Sequence, residues 1–82
     1  MKILYFAWLR EKVGVPFEEK DTKAVTVIEL IKELVQLDEK YAMAFSDLET
    51  VRVAVDQKLV QDFKASIEDA KEVAFFPPMT GG

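Results

Sequence analysis

The sequence predicts an α+β fold in which one mixed sheet packs on one main helix, and three observations lead there. The opening KILYFAWL and the late EVAFF are rich in β-branched and aromatic residues, the composition of buried strands. Between them Val27, Leu30, Ile31 and Leu34 fall at i, i+3, i+4 and i+7, the apolar stripe of an amphipathic helix. VRVAVDQ alternates Val with other residues at a period of two, as a half-buried strand does.

Length and composition set the frame. Eighty-two residues make one domain, enough to bury about 60% of the surface its unfolded chain exposes. The chain is 50% hydrophobic and 32% charged, ordinary for a globular domain and too apolar for a disordered one. The net charge of -4 is spread along the sequence. That argues against a nucleic-acid or anionic-membrane partner, both of which require clustered Lys and Arg. Cys and His are absent, which removes disulfides, thiol chemistry and the usual neutral-pH acid-base group. The opening MKILYFAWLREK becomes charged too soon for a signal or a membrane span, so a cytoplasmic protein is expected.

Taken in order, Lys2 to Trp8 is expected as the first strand. Ile3, Tyr5 and Ala7 lie on one face, and Leu4, Phe6 and Trp8 on the other. LREKVG has the polar spacing of one short helical turn and stops at Gly14, a C-terminal cap. VPFEEKD is a second, weaker strand, with Pro16 at its start, where a missing backbone donor is tolerated. Thr26 followed three residues later by Glu29 has the capping-box spacing, so the main helix runs from about Val27 to Leu37. DEKYAMAFSDLE is read as a further short helical stretch and a loop that carries Tyr41 and Phe45 inward.

In the next strand Val51, Val53 and Val55 face the core, and Arg52, Ala54 and Asp56 face away. DQK turns the chain into a short strand at Leu59 and Val60. SIEDAKE is a polar connection, and EVAFF is the last strand, stopped by Pro77 and Pro78. The two most hydrophobic strands belong at the centre of the sheet, and the helical crossover lets them run parallel. This is the β-grasp arrangement of ubiquitin-like proteins, with residues 1–76 as the domain and 77–82 as an extended, flexible C-terminal tail.

One helix covers one face of such a sheet. By parity Leu4, Phe6, Trp8 and Phe76 then point to the open face, with Leu59 at a turn beside them and Arg10 as a polar rim. An exposed apolar cluster of that size marks a partner surface, unless residues 38–50 fold over it.

No internal constellation is catalytic: Ser46 and Ser66 have no His to activate them, and no Gly-rich loop precedes a Lys-Ser or Lys-Thr pair. Any chemistry therefore belongs to the terminus, FFPPMTGG. Pro77 and Pro78 stiffen the exit from the sheet. Gly81 and Gly82 lack side chains, so the backbone can thread a channel where a Cβ would clash. Its end group is a carboxylate, inert until activated.

KILYFAWLREKVG, VRVAVDQKLV and EVAFFPPMTGG together resemble the MoaD family, the small subunit of molybdopterin synthase, in order and over essentially the whole chain. The resemblance implies a sulfur carrier without a bound cofactor. An E1-like enzyme, MoeB, would use ATP to adenylate the Gly82 carboxylate, and sulfur from a persulfide donor would replace AMP to leave a thioglycine. The tail, through Pro77, Pro78, Thr80 and Gly81, would thread the active site of the large subunit, MoaE. There it would give sulfur to cyclic pyranopterin monophosphate, two deliveries completing the dithiolene of molybdopterin. It also implies docking through Phe6, Leu59 and Phe76, with Arg10 nearby, in a heterotetramer of two small and two large subunits. The carrier would be non-catalytic by itself. Two alternatives share the Gly-Gly end: a ubiquitin-like modifier conjugated through Gly82, and a thiamine-type sulfur carrier.

Overall fold

Left-handed backbone at Ala7 (φ 53°) ends the first strand sooner than its run of β-formers predicts. In the computed structural model, which describes residues 1–78, strand β1 (Lys2–Tyr5) passes through extended Phe6 into helix α1 (Ala7–Val13). The expected strand to Trp8 is corrected in its second half. Leu9 and Val13, four residues apart, are both buried on α1, and half-buried Trp8 packs against the core instead of standing on the sheet. Ala7 is exposed, not core. Burial of that helical pair outweighs the strand propensity of the local sequence. Gly14 ends α1 in the left-handed region (φ 96°), its N–H donating to the Arg10 carbonyl.

Strand β2 (Phe17–Glu19) returns antiparallel to β1. Helix α2 (Val27–Leu37) occupies the range that its periodicity predicts. The Thr26 hydroxyl accepts from the Glu29 N–H at 3.3 Å, and the Glu29 carboxylate accepts from the Val25 N–H at 3.1 Å. This is a capping box whose return bond lands one residue early. Helix α3 (Glu39–Ala44) and a 3₁₀ turn (Leu48–Thr50) follow, then β3 (Arg52–Val55), β4 (Lys58–Val60) and β5 (Glu72–Phe76).

The sheet order is β2-β1-β5-β3-β4, with β1 and β5 parallel and the other neighbours antiparallel. This is the β-grasp fold. One side of the sheet supplies Ile3, Tyr5, Val53, Val73 and Phe75 to the core. Onto it pack Val27, Leu30, Ile31 and Leu34 of α2, with Tyr41 and Ala44 of α3 and the adjoining Phe45. Phe45 meets Phe75 edge to face at 4.9 Å. Residues 38–50 thus join the helical layer, and among the described residues no helix or loop covers the opposite side of the sheet. Val51 is buried as expected, and Val55 is half-buried against the same core.

The segment SIEDAKE is not wholly polar in role. Ile67 is buried, its N–H donating to the Val25 carbonyl, and Ser66 bridges Thr26 at the start of α2. A single Ile among charges has no periodicity, so only tertiary packing reveals it.

One carboxylate ties the layers together. Glu18 Oε2 accepts from the Tyr5 hydroxyl at 2.9 Å and from the Tyr41 hydroxyl at 2.5 Å, joining β2, β1 and α3. Burial pushes the Glu18 carboxyl up, but the Tyr41 and Tyr5 hydroxyls, with Lys20 and Lys40, outweigh it and hold the group below its usual range. Both tyrosines are pushed well above the usual phenol range, by burial first and then by the bond to Glu18.

Candidate functional site

Side chains alternate across a strand, so the residues between the core positions share the bare face. Strand register then sets them in rows. Phe17 pairs with Leu4, Leu4 with Ala74, Ala74 with Ala54, and Ala54 with Leu59. This apolar row crosses all five strands. In the next row Phe76 pairs with Arg52, and Phe6, whose N–H donates to the Phe75 carbonyl, lies beside it.

A groove of about 640 Å³ runs over this face, lined by Leu4, Phe6, Ala54, Ala74 and Phe76 together with the polar Gln57 and Glu72. Pro77 and Pro78 are also in its lining, so the chain leaves the sheet along the groove wall. Phe6 is 44% exposed and Leu59 59% exposed, while Leu4 and Phe76 are half-buried. Leu59 stands at the β4 edge, outside the groove itself.

The hairpin that carries Leu59 depends on a tight turn in which Asp56 (φ 49°) and Gln57 (φ 70°) are both left-handed, the geometry of a type I′ turn. The Asp56 carboxylate accepts from the Lys71 and Glu72 N–H groups at 2.8 and 3.0 Å. These two backbone bonds, the one from Glu72 foremost, hold its carboxyl below the usual range. The turn is thereby fastened to the start of β5, and Gln57 is fixed at the groove's end.

The structure therefore brings Phe6, Phe76, Pro77 and Pro78 around one groove, with Leu59 on its flank. Trp8, expected there, is absent because α1 takes it off the sheet. Arg10 is exposed on α1 and does not line the groove. Thr80, Gly81 and Gly82 lie outside the described residues.

Two features escaped the sequence reading. Phe17, 54% exposed, extends the apolar row to the β2 edge, with Lys2 Nζ 4.9 Å above its ring. Arg52 shares a row with Phe76, its guanidinium donating to the Glu49 and Val51 carbonyls. Parity had already turned Arg52 away from the core, which was the available signal for it. Phe17 needed the hairpin register.

Among the described residues no group of three or more His, Cys, Asp or Glu is placed to hold a metal ion. No helix there is long and apolar enough to cross a membrane. What the site offers chemically is an apolar dock with a stiff exit.

Comparison with known proteins bears on both parts. The model of the ThiS family matches residues 3–82. The molybdopterin synthase sulfur carrier subunit of Escherichia coli is 39% identical over 82 residues, covering 100% of this chain and 99% of that one. Its counterpart in Haemophilus influenzae is 32% identical with the same coverage. Among solved structures, SAMP1 from Haloferax volcanii superposes with a TM-score of 0.72 at 22% identity, covering 100% of this chain and 98% of that one. A Pyrococcus furiosus protein described as subunit 1 of a molybdopterin converting factor gives 0.70 at 28% identity, covering 95% of each chain.

Proposed function

The chain belongs to the ThiS family, and from that premise we propose that it is the sulfur-carrier subunit of a molybdopterin synthase, a non-catalytic subunit that works with a large partner. The observation that carries the reading is the bare apolar groove whose wall is continued by Pro77 and Pro78. A protein seated on that groove receives the chain end directly, because two prolines without backbone donors hold the exit extended and unpaired with the sheet.

Residues 1–76 act as the docking domain and residues 77–82 as the reactive tail. A MoeB-like activating enzyme joins the Gly82 carboxylate to AMP, with release of pyrophosphate from ATP. The outer sulfur of a persulfide attacks the acyl-adenylate and displaces AMP to give an acyl disulfide. A thiol then reduces that S–S bond, leaving a terminal thiocarboxylate and a disulfide. The tail then enters the MoaE-like large subunit, with Thr80 and Gly81 in the channel, and sulfur passes to cyclic pyranopterin monophosphate. Phe6, Leu59 and Phe76 form the docking contact, with Arg10 at its margin. Two small and two large subunits assemble, in the cytoplasm.

Intact-mass spectrometry tests this. After incubation with ATP, the activating enzyme and a sulfide source, the chain should gain the mass difference between sulfur and oxygen. A chain lacking Gly82 should fold and bind the large subunit but gain nothing. Consecutive Cα atoms are about 3.8 Å apart, and displacements of about 1 Å already cost on the order of 10²-fold in rate. Loading of the shortened chain at the wild-type rate would refute the assignment of sulfur to Gly82.

A further inference from the structure

The centre of the bare face is unusually low. Ala54 and Ala74 are paired directly opposite each other on β3 and β5. Alanine is depleted in strands, where β-branched and aromatic side chains pack better. The same two strands place Val53, Val73 and Phe75 at their covered positions, so the two alanines belong to the open side alone. Around them rise Leu4, Phe6, Phe76, Pro77 and Pro78. The polar residues of its lining, Gln57 and Glu72, stand at one end, and Arg52 lies outside the lining in the row of Phe76. The floor therefore carries no charge and no side chain beyond Cβ.

We propose that this Ala54–Ala74 floor is the specificity-determining element of the docking face. It accepts a branched or aromatic apolar side chain from a convex element of the large subunit. The proposal rests on the function assigned above and deepens it. Under that function the sulfur sits on Gly82, four residues past Pro78, a reach of at most about 14 Å. As the activating enzyme does in its own turn, the large subunit therefore covers the groove while it takes the tail for sulfur transfer. Its inserted group is apolar because any charged or hydrogen-bonding group would be buried there without a partner. Depth is the selective property: a flat apolar patch would accept many partners, whereas a trough with a two-alanine floor favours those that bring a side chain to fill it.

The test separates depth from mere hydrophobicity. Ala54→Ile and Ala74→Ile make the face more apolar but fill the trough, so hydrophobicity alone predicts tighter binding and depth predicts weaker. Each protein is titrated calorimetrically against the molybdopterin synthase large subunit of the same organism, and its thermal melt is recorded. Isoleucine favours strands, so both variants should melt no lower than wild type. Ala54→Val and Ala74→Val give a smaller filling if either Ile variant fails to fold. The expected result is affinity reduced about 10- to 100-fold by Ile, on the scale of overpacking a fitted contact. Val should fall between Ile and wild type. Ile variants that bind as tightly as wild type, or more tightly, would overturn the proposal. Failure of the wild-type chain itself to bind would instead strike the assigned function, and the floor proposal would fall with it.

Discussion

The two sides of this sheet are made from the same few strands and do opposite things. In β5, Val73 and Phe75 are completely buried, while their neighbours Ala74 and Phe76 line an open groove. In β1, Ile3 and Tyr5 are core and Leu4 is groove. Covered residues are held by three helical segments and by the Tyr5–Glu18–Tyr41 bonds. Open residues have only one another. Apolar residues left in water contribute little to folding, so their identity is free to be set by a partner. One strand can thus carry stability and recognition independently, residue by residue.

The sharpest way to break this comparison is to truncate neighbours. Phe75→Ala should cost about 3–5 kcal/mol, because it removes a ring packed against Tyr5 and Phe45 and leaves a cavity. Phe76→Ala should change stability by under about 1 kcal/mol, as surface substitutions do. Denaturant unfolding of both variants reads the difference, and equal losses would mean that the two faces are not separate.

A smaller effect is expected at the helix start. Thr26→Ala removes the hydroxyl that accepts from the Glu29 N–H and should cost about 1 kcal/mol. The loss should appear in unfolding and leave affinity for the large subunit unchanged.

Smallest at neutral pH is Glu18→Gln, since an amide oxygen still accepts from the tyrosine hydroxyls. Its signature is acid sensitivity. The Glu18 carboxyl is depressed in the folded state, so its contribution is complete above the ordinary carboxylate range. It is lost as pH falls through the lowered value. Wild type should therefore lose stability on acidification more steeply than Glu18→Gln. Asp56, also depressed, leaves a residual slope in both. Parallel acid limbs would show that Glu18 is not coupled to folding.

Most of this arrangement was legible from periodicity. The α2 range, the C-cap at Gly14 and the alternation of β3 each rest on a local pattern with its own physical cause, and each appears in the structure as read. So does the open face at Leu4, Phe6 and Phe76, though not at Trp8, because parity needs only one covered residue per strand to assign the rest. What could not be read depends on contacts distant in sequence. Trp8 left the sheet because Leu9 and Val13 find a core in a helix, although AWL is a good strand sequence in isolation. Ile67 was hidden among charges. Arg52 and Phe17 became part of the site only through register, and the alanine floor is visible only when Ala54 and Ala74 are known to be paired.

The most direct test of the division between the two faces is a titration of Phe76→Asp against the large subunit, with its thermal melt recorded alongside. The account predicts a protein that melts like wild type and shows no detectable binding, since docking would strip water from a carboxylate in an apolar groove, a cost that Arg52 opposite it does not offset. A variant that unfolds would place Phe76 in the core, and one that binds with wild-type affinity would show that the groove is not the docking face; either result contradicts the account.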